Sequence, residues 1–276
     1  MGGSGPPRVP RAPPAELEVL VRISQAVHAV VREARTSPRR ADVVAMGADG
    51  SPTEHMDRLA EKAVLDALKS EGLDWNLVSE EIGRVERGGA MTLVVDPVDG
   101  SHNALRGIPC ATVSLALGRS DLASVEIGLV RDLFNGSTYW AARGVGAFQD
   151  GRPIRVRAWD PRTEMFFVNL GRHSTPRSVA FAGRGRRIRS MGCASLEMAM
   201  VALGAADAYV FENDTPHRNL RVTDIAAAYR IVQEAGGFVG NARFESIDTF
   251  PLALGHHTSV AAWGDAKFAG ATEGWA

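Results

Sequence analysis

From residue 15 to 35, apolar side chains return every three or four positions, at Leu17, Leu20, Val21, Val27, Val30 and Val31. That spacing lays a stripe along one side of a helix and predicts an amphipathic helix over 15–35. Ser51-Pro52-Thr53-Glu54 has the form of a capping box with proline at the first helical position. The helix it would open buries Met56, Leu59, Ala60, Ala63, Val64, Ala67 and Leu68, with Asp57 at the edge of that stripe. From Leu77 the period shortens to that of strands. Segments 77–79, 91–96, 111–117 and 124–130 read as strands, and 137–142 with 146–148 as a hairpin about Arg143-Gly144. The two helices would cover these antiparallel or mixed strands.

The second half alternates differently. Segments 166–170, 186–190, 207–211 and 259–263 read as strands. A helix over 194–203 is stopped by Gly204, and another over 224–235 ends at Gly236-Gly237. No internal repeat is present. Strands and helices that alternate in this way predict a layered α/β protein.

Composition narrows the class. A chain of 276 residues makes one large domain or two small ones, and its 45% hydrophobic content and mean hydropathy of -0.08 are those of an ordinary globular protein. A formal charge of -1 gives no long-range pull toward a nucleic acid polymer or an anionic membrane. No apolar run reaches the 18 or so residues of a membrane span. Residues 1–14 are rich in Gly, Pro and Arg and lack the apolar core of a signal peptide, so a flexible tail and a cytoplasmic location are expected. Cys110 and Cys193, in apolar or small-residue surroundings, read as buried free thiols.

Candidate chemistry concentrates at Asp96-Pro97-Val98-Asp99-Gly100-Ser101, where a buried strand runs into a glycine turn. Strand ends of an open α/β sheet commonly carry ligand sites. Carboxylates gathered there repel each other, and a hard divalent cation relieves the repulsion. Taken alone, the stretch also reads as a turn capped by its aspartates. Other acids fall at element ends: Asp57, Glu80, Glu81 and Asp224. Capping by a negative charge at a helix start is the alternative for Asp224, and solvation for Glu80-Glu81.

In these motifs the chain resembles the Mg2+-dependent, lithium-sensitive phosphatases typified by inositol monophosphatase and fructose-1,6-bisphosphatase. Asp96 to Ser101 is similar to the family's Asp-Pro-Ile/Leu-Asp-Gly-Thr/Ser, and Glu80-Glu81 to its upstream acidic pair. Thr223 to Ala227 with Glu234 to Gly237 is similar to Trp-Asp-x-Ala-Ala…Glu-Ala-Gly-Gly. Met46 to Thr53 and Asn103 to Pro109 resemble the archaeal-type bifunctional branch.

The resemblance implies an αβαβα sandwich and a homodimer. Its halves would be 15–155, with most of the metal ligands, and 156–276, with Asp224 and the segments that select substrate. It implies two or three Mg2+ ions held by Glu80, Asp96, Asp99, Asp224 and the Val98 carbonyl. Glu80 would also act in catalysis, Asp57 and Ser101 would orient and deprotonate water, and the Gly100 and Ser101 N–H groups would hold phosphate. Glu212 and Arg221 are candidate substrate contacts. Ser101 stands where threonine is commoner, Thr223 stands in place of tryptophan, and 212–220 looks longer than in the inositol enzymes.

The function expected is hydrolysis of a small polyol or sugar phosphate, inositol monophosphate or fructose 1,6-bisphosphate. The alternatives are a nucleotide 3′-phosphatase, a biosynthetic phosphatase with an unusual substrate, and a catalytically silent binding module. An aspartyl-phosphate enzyme is disfavoured because two residues, Pro97 and Val98, separate the aspartates, whereas that class has one. The basic run 184–189 reads as a phosphate grip or a solvated strand edge. His256-His257 reads as loop, and Gly144-Val145-Gly146 lacks the following helix of a dinucleotide fingerprint.

Overall fold

Alternate residues of one strand divide the interior of the protein into two cores. Leu93 and Val95 point into one apolar cluster and Val94 into another, because successive strand side chains face opposite ways. The computed structural model describes residues 12–48, 50 and 52–272. The expected tail at 1–14 therefore lies outside the described residues except for 12–14.

The chain opens with α1 (Ala15–Ala34), β1 (Val43–Met46), β2 (Pro52–Glu54) and α2 (His55–Ser70). It continues through β3 (Asn76–Ser79), β4 (Gly83–Val85), β5 (Thr92–Asp99), α3 (Ser101–Arg106) and β6 (Thr112–Gly118). Next come β7 (Ile127–Asp132), β8 (Thr138–Ala142), β9 (Gly146–Gln149) and β10 (Arg152–Ile154). β3 to β10 form one sheet in the order β10-β9-β8-β7-β6-β5-β3-β4, antiparallel except for the parallel pair β3 and β5.

A second sheet follows from β11 (Phe166–Val168), α4 (Pro176–Arg184), β12 (Ile188–Arg189), α5 (Ala194–Ala202) and β13 (Ala208–Phe211). It is completed by α6 (Val222–Glu234), β14 (Phe238–Gly240), β15 (Val260–Trp263) and α7 (Ala266–Thr272). Its order is β12-β11-β13-β15-β14.

Three apolar layers result. α1 and α2 cover the outer face of the large sheet through Leu20, Ile23, Val27, Met56 and Val64. α5 and α6 fill the space between the sheets, and α6 is buried at nearly every position from Val222 to Val232. Phe181 of α4 and Phe268 of α7 close the outer face of the small sheet against Phe166, Val168 and Trp263. The expected αβαβα sandwich is the observed fold.

Local readings need correction where short elements compete. Pro52 to Glu54 is a strand paired with β1, so the capping box does not form, and Ser51 lies outside the described residues. α2 starts at His55 without a side-chain cap. β5 runs on to Asp99 where a stop at Asp96 was expected. The expected strand over 124–130 begins at Ile127, because Asp121 caps a short 3-10 turn over Leu122–Ser124. Helices α3, α4 and α7 had no expected counterpart. α4 carried a usable signal, since the Thr175 side chain caps it and Pro176 opens it.

Close approach of α6 to β7 fixes the middle layer. A Cβ added at Gly128 would sit 2.2 Å from the Ala227 carbonyl oxygen. Gly128→Ala is expected to destabilise the fold by about 2 kcal/mol or more, the cost of overpacking a rigid interior. Denaturant unfolding measures this, and a midpoint equal to wild type would refute the contact.

Candidate metal centre

A slip in strand pairing aims the acids of β5. Pairing with β6 holds at Asp96 opposite Ser114 and resumes at Asp99 opposite Thr112, with the register shifted between them. Pro97 stands in the slip, where its missing N–H leaves no ladder bond unmade. The Val98 N–H donates back to Asp96 Oδ1 at 2.9 Å. Gly100 follows at φ +83°, and a Cβ there would meet the Cys110 carbonyl oxygen at 2.8 Å. Only glycine lets the chain turn here into α3, whose first residue is Ser101.

Glu80 lies one position beyond β3, beside β5, and Asp224 lies in the first turn of α6. One oxygen from each of Glu80, Asp96 and Asp224 falls within 4.8 Å of the others. Burial, then the Glu80 and Asp99 charges, holds the Asp96 and Asp224 carboxyls well above the usual range. Burial raises Asp99 too, against the Ser195 N–H (2.7 Å) and hydroxyl (2.6 Å) that donate to its Oδ2. The Cys193 thiol donates to the same oxygen at 3.3 Å. Both cysteines are free and buried, as expected.

α6 reaches across to Glu80. The Thr223 hydroxyl donates to Glu80 Oε1 at 2.9 Å, and Arg221 Nη1 lies 3.5 Å from the same oxygen. The Arg221 N–H donates to Asp224 Oδ2 at 2.7 Å. Threonine in place of tryptophan thus joins Glu80 to the helix that carries Asp224. Protein donors occupy Asp96 Oδ1, Asp99 Oδ2 and Glu80 Oε1, while Asp96 Oδ2, Asp99 Oδ1 and Glu80 Oε2 receive none of the hydrogen bonds described above. A cluster of carboxylate oxygens with raised proton affinity fits a hard divalent cation.

A second acid group adjoins the first. Asp57 in α2 is buried, its Oδ1 has no partner, and burial together with Glu54 and Glu81 lifts its carboxyl to about 9. Glu61, one turn further on, accepts from the Ser79 hydroxyl at 2.6 Å and is raised by burial to about 7. The Thr53 hydroxyl donates to Glu81. No hydrogen bond joins Asp57 to Ser101 among the described residues.

Of the candidate substrate contacts, Arg221 lines a cavity of about 500 Å³ with Arg172, His173, His217 and Arg218. Glu212 is taken up at the start of α4, where it accepts from the Thr175 hydroxyl at 2.7 Å. The 184–189 arginines lie at the end of α4 and on the β12 edge, with Arg186, Arg187 and Arg189 exposed. His256-His257 is loop, as expected. Sequence reasoning missed Ser195 and Glu61, which act only through tertiary contacts, and Arg172; it singled out the 212–220 segment but not Arg218 within it.

The pattern of the inositol monophosphatase family matches residues 15–270. The chain is 34% identical over 262 residues to a fructose-1,6-bisphosphatase/inositol-1-monophosphatase of Methanothermobacter thermautotrophicus, covering 90% of this chain and 91% of that one. It is 32% identical over 246 residues to a bifunctional NADP phosphatase/NAD kinase of Methanococcus maripaludis, covering 81% of this chain and 43% of that one. A solved structure from Pyrococcus horikoshii, described as similar to inositol-1 monophosphatase, superposes with TM-score 0.78 at 26% identity, over 92% of this chain and 95% of that one.

Two carboxylate charges no more than 4.8 Å apart repel by about 3.5 kcal/mol or more at an effective dielectric near 20. With chelator present, Asp96→Asn and Asp224→Asn are therefore expected to melt at or above wild type. Saturating Mg2+ should raise the wild-type midpoint by about 5 °C or more and move the variants far less. Equal Mg2+ stabilisation of all three proteins would remove these acids from the ligand set.

Proposed function

Because the chain belongs to the inositol monophosphatase family, in its archaeal-type branch, and is a hydrolase of phosphoric monoesters, we propose that it dephosphorylates a small polyol or sugar phosphate with Mg2+ held by Glu80, Asp96, Asp99, Asp224 and the Val98 carbonyl. The convergence of Glu80, Asp96 and Asp224 from three separate elements carries this reading. Two or three Mg2+ ions and a homodimer belong to the same proposal.

Bound Mg2+ would supply positive charge to the phosphoryl oxygens and make a coordinated water more acidic. The protein does the rest. The Gly100 and Ser101 N–H groups, at the start of α3, hold phosphate oxygens. The Ser195 donors and the Thr223 hydroxyl fix the Asp99 and Glu80 carboxylates, so that their other oxygens stay turned to the centre. Asp57 takes the proton of the attacking water, with Ser101 orienting that water. At a pKa of about 9 its carboxyl rests protonated, and it becomes a free base only as nearby positive charge lowers that value.

The cationic cavity favours a particular substrate within this class. Arg221 belongs both to its wall and to the Glu80 ion pair, so a substrate with its scissile phosphate at the acids extends toward Arg172, His173, His217 and Arg218. A second anionic group would be recognised there, whereas an uncharged ring would leave Arg172 and Arg218 without an anion to hold. Fructose 1,6-bisphosphate carries such a group and inositol monophosphate does not. NADP, named in the Methanococcus maripaludis relative, carries one as well.

Phosphate release is measured on inositol monophosphate, fructose 1,6-bisphosphate, NADP and a 3′,5′-bisphosphonucleotide, with Mg2+ and with chelator. Turnover should require Mg2+ and fall by about 100-fold or more in Asp96→Asn. Arg172→Ala with Arg218→Ala should raise KM about tenfold or more for bisphosphates and leave that for inositol monophosphate unchanged. Equal rates with and without chelator would overturn the metal-dependent reading. Equal KM effects on every substrate would overturn the second-anion reading.

A further inference from the structure

We propose a second anion site, separate from the acid cluster, in which Arg32, Arg35 and Arg106 take a phosphate group at the C-terminal end of α3. The cavity is about 250 Å³ and is lined by Arg32, Arg35, Arg40 and Arg106 with Phe134 as its apolar wall. It lies where the last turn of α1 meets the last turn of α3, away from the cavity that Arg221 lines.

Arg35 is fixed in place. Its guanidinium carbon sits 3.9 Å from the centre of the Phe134 ring, and its Nε is buried with no hydrogen-bond partner. Arg40 is spent on the fold: Nε donates to the Leu105 carbonyl at 2.9 Å and Nη1 to the Ser37 carbonyl at 3.1 Å. No ion pair engages Arg32, Arg35 or Arg106 among the described residues. The nearby acid is Asp132, whose carboxylate already accepts from the Phe134 N–H at 2.7 Å, the Asn135 N–H at 3.1 Å and Asn135 Nδ2 at 2.8 Å. Burial, then the charges of Arg131, Arg32 and Arg35, holds the adjacent His28 imidazole below its ordinary value. Three guanidinium charges face one nearby carboxylate, so positive charge is in excess around this cavity.

Three guanidinium groups that converge with no carboxylate in ion-pair contact suit a tetrahedral oxyanion, because each fork can give two parallel N–H bonds to phosphate oxygens. The cavity is roomier than phosphate alone needs, so a phosphorylated metabolite and free phosphate share the chemistry. Its position has a consequence for the reaction centre. Arg40 grips the last turn of α3, and its carbonyl accepts the Met56 N–H just before Asp57. α3 begins at Ser101, five residues before Arg106, a span of about 7.5 Å. An anion here touches the supports of both Ser101 and Asp57.

Calorimetry on the full-length, Mg2+-loaded protein tests the site with inorganic phosphate and with a non-hydrolysable alkyl phosphonate. Wild type should bind two phosphates per chain, one of them at the reaction centre. R32Q/R106Q should weaken only one of the two, by about tenfold or more, with kcat unchanged. The singles R32Q and R106Q, at exposed positions, guard against misfolding and should each give part of the loss. Tighter binding of the phosphonate than of phosphate assigns the site to a phosphorylated metabolite, and equal binding assigns it to free phosphate. A single phosphate per chain that is lost in Asp96→Asn and kept in R32Q/R106Q would overturn the proposal.

Discussion

Mutual repulsion among buried carboxylates is the constraint that organises this molecule. Asp96 and Asp99 are buried, with Asp224 and Glu80 half-buried beside them, and among the described residues the one ion pair to these four acids is that of Arg221 with Glu80. A protein interior accepts such a group only if other interactions hold it in place. Here the supports come from separate layers. β5 supplies two acids and the loop after β3 a third. α6 supplies Asp224 together with the Thr223 and Arg221 donors that fix Glu80.

That arrangement explains why the middle layer is so uniformly apolar. α6 carries the charged end of the site, yet from Ile225 to Val232 it is enclosed by the two sheets. Packing along its length anchors its first turn. Gly128 lets β7 approach Ala227 closely, and the Glu234 carboxylate at the other end of the helix accepts the Gly144 and Gly146 N–H groups of the β8–β9 hairpin. Helix α6 is thereby clamped at both ends and at its middle. Hydrophobic burial along the shaft opposes the repulsion at the tip.

The sequence made the acids legible because they stand at the ends of strongly patterned elements. Leu93-Val94-Val95 before Asp96, and Ile225 to Ala228 after Asp224, left little doubt about where strand and helix would lie. Short elements were harder to see. Pro52-Thr53-Glu54 satisfies the local rule for a helix start, but pairing with β1 wins, and no periodicity within three residues could reveal that. Ser195 and Thr223 were invisible as supports for a different reason. Their hydroxyls matter only once Asp99 and Glu80 have been brought to them from distant parts of the chain. The cationic cavity was half visible, since Arg221 and the 212–220 segment stood out, while Arg172 lies in a turn and Arg218 in a single 3-10 turn, both too short to show a period.

Arg221 links the two charged regions, and its position sets how they must work together. A cation beside Glu80 lowers the attraction that this carboxylate exerts on the guanidinium, while a phosphorylated substrate in the cavity offers Arg221 a replacement anion. In the proposed reaction, metal and substrate would therefore act on one side chain in the same direction: the first would loosen it from Glu80 and the second would receive it. Arg221 stands 3.5 Å from Glu80 and on the cavity wall, so one guanidinium adjoins both. A threonine hydroxyl at 223 keeps Glu80 in place during that exchange. A neutral donor is suited to that duty, because its hydrogen bond survives when the charges around it change.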